Sequence, residues 1–241
     1  MAASRARNAL PPLPRLSAAL GGWDVALIAE IKRRSPSKGV LNAQMSAAER
    51  ARDYAAAGAR ALSVLTEPEE FGGSMEDLTE SRQSAGLPII RKDFHVDPLQ
   101  VWETKAVGAS ALLLIARGIG SDRIAEMMTA TREAGIEAVV EVRSERELQW
   151  ALESGATIIG VNCRDLETLE MELEVHDRIL PLIPADCIAI AESGIATRRD
   201  VERLAALGAD AILVGSSLSL AADAFNTVAT LTGVSRVRRG S

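Results

Sequence analysis

Short runs of aliphatic residues alternate along the chain with longer stretches in which apolar residues recur at helical spacing. Short apolar runs bounded by glycine or charged residues are typical of buried strands, whereas the longer stretches are typical of amphipathic helices. The apolar runs cover residues 25–31, 61–66, 87–94, 111–116, 138–142, 157–162, 187–193 and 211–216. The pattern therefore predicts eight strands separated by helices.

Helical patterns rich in Ala, Leu, Glu and Arg fill the segments between these runs, as in 46–57 and 122–134. Most of them end on a glycine just before the next strand, and glycine readily takes the left-handed conformation found at helix ends. The predicted helix ends are Gly58, Gly86, Gly108, Gly135, Gly155 and Gly208. The chain is thus predicted to be a series of strand–helix units.

The fold class follows from this regular alternation. Near-continuous apolar strands are buried on both faces, as in a parallel sheet covered by helices, which indicates an α/β fold. A doubly wound sheet would be expected to carry a GxGxxG turn after its first strand, but SPSKG stands at 35–39. Eight units in one chain therefore favour a (β/α)8 TIM barrel. We predict a short N-terminal extension (1–24), a single barrel domain (25–232) and a C-terminal tail (233–241).

Composition and charge exclude several classes of protein. A net charge of -6 and a pI near 5.2 argue against nucleic-acid binding, since Arg236, Arg238 and Arg239 form only a short basic cluster, expected to be a solvated tail. No apolar run reaches about 18 residues, so neither a signal peptide nor a membrane span is predicted. Cys163 and Cys187 form no CxxC motif, which indicates a reducing cytoplasm and neither a disulfide framework nor a zinc site.

Two opposite charges enter the end of the first strand. Ile28, Glu30 and Lys32 are spaced two apart, so they share one face of that strand. A buried ion pair contributes less stability to a barrel than apolar residues of similar size would, because both charges lose their hydration. A functional reason for Glu30 and Lys32 is therefore favoured.

Polar residues also follow other strands, namely Lys92, Asp93, Glu141, Asn162, Arg164 and Glu192. All lie at C-terminal strand ends, where barrel enzymes place their catalytic groups. A partly desolvated lysine near other cations is expected to have a lowered pKa, and a buried glutamate a raised one. The candidate acid–base groups are Lys32, Lys92, Glu30, Glu141 and Glu192.

The loops after the seventh and eighth strands read ESGI and VGSSL. In barrels these loops commonly bind phosphate through backbone N–H groups, and glycine lets the backbone approach the anion closely. The candidate phosphate-binding residues are Ser193, Gly194, Gly215 and Ser216, with Lys32 as a counter-charge. The spacing is also compatible with ordinary turns.

Taken together, the motifs resemble the indole-3-glycerol-phosphate synthase family. The resemblance rests on AEIKRRSPSKG (29–39), SVLTEPEEFGGS (63–74), RKDFHVDPLQ (91–100), GVNCRDLETLE (160–170), AESGI (191–195) and VGSSL (214–218). It implies a carboxy-lyase that closes the ring of a phosphorylated carboxyphenylamino-deoxyribulose and then releases carbon dioxide and water. It implies no metal ion and no organic cofactor, and a monomer is compatible with it.

The resemblance also implies roles for the charged residues. Lys92 resembles the general acid that protonates the substrate ketone as the aromatic ring attacks. Glu141 and Lys32 resemble the groups that serve the later dehydration. Glu30 resembles the carboxylate that orients Lys32.

Other positions resemble the family's binding residues. Asn162, Arg164 and Glu192 resemble groups that position the substrate carboxylate, the hydroxyls and the acid–base pair. Ser35 matches a substrate-binding position. The residues that resemble walls for the aromatic ring are Phe71, Phe94, Leu113, Leu166 and Leu213.

The sequence departs from the family pattern in places. The family usually carries a longer helical segment before its first strand, which helps to cover the mouth of the barrel. His95 stands beside Lys92 where an aliphatic residue is more usual, and we expect it to face outward or to be packed. Cys163 is expected to be a small filler behind Asn162, and His176 to lie on the surface of a helix.

Three alternative interpretations fit the sequence to different degrees, and a specialised paralogue is the hardest of them to exclude. A phosphoribosylanthranilate isomerase would use a Cys or Asp acid–base pair on the first and central strands, where this chain has Glu30, Lys32 and Lys92. A paralogue of the synthase in specialised metabolism would share these residues. A barrel that only binds a phosphorylated ligand would not need Glu141 opposite Lys92.

Overall fold

The computed structural model describes residues 12–42 and 45–239, which form a closed parallel barrel. Its strands are β1 (Ala26–Ile31), β2 (Ala61–Leu65), β3 (Ile89–Lys92), β4 (Ala111–Ile115), β5 (Glu137–Val142), β6 (Ile158–Asn162), β7 (Ile188–Glu192) and β8 (Ala211–Val214). Each strand pairs with the next, and β8 pairs in parallel with β1. The predicted (β/α)8 barrel is confirmed.

At least one helix follows each strand. The helices are α1 (Ala47–Ala56), α2 (Met75–Ser84), α3 (Pro98–Val107), α4 (Ala116–Ala134), α5 (Glu145–Glu153), α6 (Glu174–Ile179), α7 (Arg198–Ala206) and α8 (Ala224–Leu231). Gly108 and Gly135 end their helices in the left-handed conformation, as predicted, whereas α2 stops at Ser84, before Gly86. Among the described helices, none combines the length and apolarity needed to cross a membrane.

Short elements supplement the barrel. An antiparallel hairpin pairs Arg34–Ser35 with Gly39–Val40 above the end of β1, in the SPSKG segment. A short helix, Ser216–Leu220, follows β8. The sequence pattern predicted neither, because both are too short to show a period.

Alternate residues of every strand point into the barrel. The inward-facing core is made of Ala26, Ile28, Ala61, Ile90, Ala111, Leu113, Val139, Ile158, Ile190, Ala211 and Leu213. Because side chains alternate with a period of two, Glu30 and Lys32 share the inner face with Ile28 and lie nearer the C-terminal end. The strand parity predicted from the sequence is confirmed.

The described part of the N-terminal extension covers the barrel at the N-terminal ends of the strands. Leu16 and Leu20 are fully buried against the inward-facing core, close to the alanines that begin several strands. The Ser17 N–H donates to Glu137, the first residue of β5. This segment therefore lies at the end of the barrel opposite the strand-end charges and does not cover them.

The C-terminal tail packs onto the barrel instead of being solvated. Arg236 and Arg239 both pair with Asp210, which is buried just before β8, and the Arg239 side chain is only 7% exposed. The Val25 N–H donates to the carbonyl of Val234. The expectation of a solvated cluster is wrong for these two arginines, because a buried carboxylate needs cationic partners.

Candidate functional site

The C-terminal ends of the strands surround a cavity of about 720 Å³. The predicted acid–base and polar residues all line it: Glu30, Lys32, Ser35, Lys92, Glu141, Asn162, Arg164 and Glu192. The predicted phosphate-binding and wall residues line it as well: Phe71, Phe94, Leu113, Leu166, Ser193, Gly194, Leu213, Gly215 and Ser216. The barrel thus brings together side chains contributed by all eight strand–loop units.

Lys92 lies at the centre of the charged group. Its Nζ is 2.6 Å from an oxygen of Glu192, 3.7 Å from one of Glu30 and 3.8 Å from one of Glu141. These carboxylates come from β1, β5 and β7, and each occupies the last inward-facing position or the one before it. The three acids are far apart in sequence, and closure of the barrel brings them to one ammonium group.

The surroundings of Lys92 reverse the predicted direction of its pKa shift. Burial lowers the pKa of Lys92, but the charges of Glu192, Glu30 and Glu141 raise it more, so it lies above its ordinary value. The expectation of a lowered pKa is therefore wrong, because it assumed that cations surround the lysine. The ammonium group remains protonated in the free protein at neutral pH.

Glu30 joins the two lysines. Its Oε1 is 2.6 Å from Nζ of Lys32, and its Oε2 accepts a hydrogen bond from Ser63 at 3.3 Å. Burial raises the pKa of Glu30, but the charges of Lys32 and Lys92 and these hydrogen bonds lower it below the ordinary value. Glu30 is an ionised carboxylate between two cations, contrary to the raised pKa expected for a buried glutamate.

Glu141 has the raised pKa that was predicted. Burial and then the negative charge of Glu192 raise the pKa of Glu141 to about 7, although Lys92 and a hydrogen bond from Asn162 oppose the shift. The Asn162 Nδ2 donates to Glu141 at 3.2 Å. A carboxyl group with a pKa near 7 is suited to exchange protons at neutral pH.

Two glycines make room for the carboxylates. A Cβ atom at Gly160 of β6 would overlap the Glu192 carboxylate, and one at Gly215 would overlap that of Glu30. The Glu192 side chain is almost fully buried, and its Oε1 has no hydrogen-bond partner among the described residues. No role for Gly160 was predicted, because its importance depends on Glu192, which follows some thirty residues later in the chain.

Arg164 directs its guanidinium to its own loop. Its backbone N–H donates to the Asn162 side chain at 3.0 Å, and its Nη1 donates to the carbonyl of Leu169 at 2.9 Å. Asp165 supports the same loop, since its carboxylate is 2.8 Å from the guanidinium of Arg143. The side chain of Arg164 therefore lines the cavity while holding the 164–169 turn.

The two candidate phosphate loops contact each other. Ser193 and Gly194 both have positive φ angles, 68° and 70°, so the chain turns sharply after β7. The hydroxyl of Ser217, a residue not predicted to belong to the site, donates to the carbonyl of Ile195 at 3.0 Å and so joins the loop after β8 to the loop after β7. The ammonium group of Lys32 lies close to Gly215.

Apolar and aromatic side chains form one side of the cavity. The ring centroids of Phe71 and Phe94 are 6.3 Å apart, and Phe94 is 49% exposed at the rim. Leu113 and Leu213 are buried deeper, and Ile115, which was not predicted, continues the same wall. The cavity combines a charged floor with an apolar side that includes two aromatic rings, which suits an aromatic ligand.

Asp93 also lines the cavity, but its carboxylate is engaged in structural contacts. Its oxygens accept hydrogen bonds from Thr66 at 2.6 Å and from the Phe94 N–H at 2.9 Å, and they pair with Arg91 at 3.1 Å. Arg91 is buried on the outer side of β3. Asp93 therefore fixes the turn that follows Lys92.

The two histidines of the chain are both buried behind the cavity. His95 is packed, as expected, and its Nδ1 contacts the carbonyl of Leu113 at 2.8 Å. His176 is fully buried, so the prediction of a surface position is wrong. Cys163 is a buried filler, as expected, and burial raises the pKa of its thiol to about 11.

Fold and site together define a (β/α)8-barrel protein with acid–base groups at the mouth. A model of the indole-3-glycerol phosphate synthase family matches residues 8–231. The chain belongs to this family. It is 45% identical over 216 residues to the indole-3-glycerol phosphate synthase of Dehalococcoides mccartyi strain CBDB1, covering 88% of this chain and 83% of the relative. It is 44% identical over 227 residues to that of Mycolicibacterium smegmatis, covering 94% and 83%.

Solved structures of other proteins share the fold. The 3-hexulose-6-phosphate synthase of Salmonella typhimurium matches with a TM-score of 0.68 at 16% identity, covering 86% of this chain and 96% of that one. The thiamine phosphate pyrophosphorylase of Pyrococcus furiosus matches with a TM-score of 0.61 at 17% identity, covering 86% and 93%. At such low identity these similarities support the barrel architecture alone.

Proposed function

We propose that this barrel is a carboxy-lyase of tryptophan biosynthesis. It converts 1-(2-carboxyphenylamino)-1-deoxyribulose 5-phosphate to indole-3-glycerol phosphate, with loss of carbon dioxide and water. The observation that carries the proposal is the Lys92 ammonium group, held inside the cavity within 4 Å of three carboxylates. The membership of the chain in the synthase family supports the same reaction.

Ring closure comes first. The ring carbon that bears the substrate carboxylate bonds to the ketone carbon, and the ketone oxygen takes a proton from Lys92. Although the pKa of Lys92 is raised, an alkoxide is more basic than an amine, so the transfer runs towards the alcohol. A positioned cation beside the developing oxyanion is where fixed electrostatics accelerates such a step most strongly.

Decarboxylation and dehydration follow. Loss of carbon dioxide returns its bonding electrons to the ring and restores aromaticity. The hydroxyl group then leaves as water while the methylene carbon beside the nitrogen loses a proton, which forms the indole double bond. Lys32 and Glu141 serve this step, and the pKa of Glu141 near 7 suits it to proton exchange. Only protons, water and carbon dioxide move, so the sequence of steps needs neither a metal ion nor an organic cofactor.

Two ends of the cavity hold the two ends of the substrate. The backbone of Ser193, Gly194, Gly215 and Ser216 binds the phosphate, with Lys32 nearby as the counter-charge. Phe71, Phe94, Leu113, Leu166 and Leu213 enclose the aromatic ring, and Ser35 contributes a polar contact at the mouth. Asn162, Arg164 and Glu192 orient the carboxylate and hydroxyl groups between these ends.

The proposed setting is a reducing compartment such as the cytoplasm, since Cys163 and Cys187 are both free thiols. We propose that the chain acts as a monomer and that its partner is the small phosphorylated substrate.

Fluorescence of the indole product tests the proposal. The purified protein is mixed with the carboxyphenylamino substrate, and indole fluorescence is followed with and without inorganic phosphate. We expect multiple turnovers and competitive inhibition by phosphate. Absence of turnover at high protein concentration, together with phosphate binding, would instead support a barrel that only binds ligands.

A further inference from the structure

His176 makes its strongest contact with the backbone of a proposed site residue. It lies on α6, behind the ends of β6 and β7, and is fully buried. Its Nε2 is 3.0 Å from the carbonyl oxygen of Glu192 and 3.2 Å from that of Val161. Because both partners can only accept, Nε2 carries the hydrogen and donates to both. One imidazole thus joins the ends of two neighbouring strands.

The imidazole is held in the neutral form. Burial lowers the pKa of His176, and its Nδ1 has no hydrogen-bond partner among the described residues. A proton on Nδ1 would therefore be buried without an acceptor. His176 acts in this structure as a fixed neutral donor.

Little else holds the carbonyl of Glu192. The N–H of Cys163 reaches it from β6, but at 3.4 Å, which is long for a backbone hydrogen bond. His176 therefore supplies the shorter of these two hydrogen bonds. Directly after this carbonyl the chain enters the left-handed conformation at Ser193, which a residue with a side chain adopts only when its surroundings enforce it.

The orientation of the Glu192–Ser193 peptide affects two groups at the cavity. A trans peptide is planar, so the Ser193 N–H points away from the carbonyl that His176 holds, and Ser193 lines the cavity. The same peptide is anchored at the residue whose carboxylate is 2.6 Å from Lys92. A rotation of the peptide would redirect the Ser193 N–H, and a shift of the Glu192 backbone would carry its carboxylate away from Lys92.

We propose that His176 is a positioning residue for the reaction, acting through the Glu192–Ser193 peptide. Its Nε2–H donor directs the Ser193 N–H towards the substrate phosphate and keeps the Glu192 carboxylate against Lys92. The inference rests on the proposed function of this cavity. His176 thus affects the reaction although it contacts neither the cavity nor the substrate.

Substitutions at His176 separate the donor from simple filling of space. His176→Leu removes the donor, whereas the side-chain amide of His176→Gln can place an N–H near the position of Nε2. Val175→Ala, a buried neighbour on α6, is the matched control because it opens a small cavity and leaves the donor in place. The measurements are KM and kcat for the substrate, the Kd of inorganic phosphate, and the melting temperature.

We expect His176→Leu to weaken phosphate binding and to raise KM by about tenfold, because a misdirected Ser193 N–H would lose its hydrogen bond to the phosphate. We also expect it to lower kcat, because the Glu192 carboxylate would no longer be held against Lys92. His176→Gln should recover most of the loss, and Val175→Ala should lower the melting temperature only. Wild-type phosphate affinity and kinetics in His176→Leu would overturn the proposal, as would equal kinetic losses in Val175→Ala. If the wild-type protein gives no turnover, the proposed function fails, while the phosphate Kd still tests the role of His176.

Nitrogen NMR of the imidazole rings provides an independent check. The chain has two histidines, so His176→Gln assigns both signals. The His176 ring should show a protonated Nε2 and a bare Nδ1 at neutral pH. The opposite tautomer would contradict the donor role and overturn the proposal.

Discussion

Replacement of Glu141 by glutamine should stabilise the protein at neutral and alkaline pH. The pKa of Glu141 is about 7 in the folded protein against an ordinary value of 4.5, because burial and the charge of Glu192 oppose its ionisation. Between these pH values the folded chain keeps a proton that the unfolded chain has released. Stability is therefore lost as the pH rises through this window.

The size of the effect follows from the two pKa values. The difference between pKa values of 4.5 and about 7 corresponds to a loss of roughly 3 kcal/mol in unfolding free energy, and this loss is complete above pH 7. Glutamine is neutral at every pH and keeps the oxygen that accepts the hydrogen bond from Asn162. The difference in stability between Glu141→Gln and the wild-type protein should thus grow by about 3 kcal/mol from pH 4.5 to pH 8.

Thermal and urea unfolding at several pH values measures this difference. For a chain of this size about 3 kcal/mol corresponds to a shift of roughly 6–12 °C in melting temperature. Glu133→Gln, at an exposed position of α4, is the matched control and should show no such trend. Turnover of Glu141→Gln should fall by about 10²–10⁴-fold. A stability difference that is independent of pH, or that shrinks as pH rises, would refute the reasoning.

Two further substitutions test packing at opposite ends of the barrel. Gly160→Ala should lower kcat by about tenfold or more, because the added Cβ atom would displace the Glu192 carboxylate. Indole fluorescence measures the rate, and an unchanged kcat would show that the Glu192 side chain has room to move. Arg239→Ala should reduce the unfolding free energy by about 2–3 kcal/mol in urea, because buried Asp210 loses one of its two cationic partners, and should leave kcat unchanged. A loss of activity without a loss of stability would contradict that separation.

The barrel and the charged strand-end residues of its cavity could be predicted because both depend on local periodicity, whereas the loop residues Phe71 and Leu166 followed only from the resemblance to the synthase family. The period-two alternation places Glu30 on the inner face, and the C-terminal end of each strand is read directly from the sequence. The electrostatics could not be predicted in the same way. Whether the pKa of Lys92 rises or falls depends on the distances to Glu141 and Glu192, which are set by barrel closure and not by sequence separation.

The position of His176 shows a second limit of sequence reasoning. The segment around it has polar residues at helical spacing, which is typical of a solvated helix face. Helix α6 begins only at Glu174 and has six residues, so a single turn decides which side chains face inward. The prediction of a solvated C-terminal tail was wrong for a related reason. A cluster of charges indicates a solvated segment unless the chain buries an opposite charge nearby in space, as it does at Asp210.

The role of Lys92 as the proton donor is the central claim, and Lys92→Arg tests it most directly. Alanine would leave three carboxylates close together, whereas arginine keeps the positive charge among them and does not release its proton. With substrate labelled with carbon-13 in its carboxylate, the wild-type protein should release one labelled carbon dioxide for each indole formed. Lys92→Arg should slow both products together by about 10²–10⁴-fold while remaining folded. A folded Lys92→Arg variant with near wild-type release of both products would contradict the account.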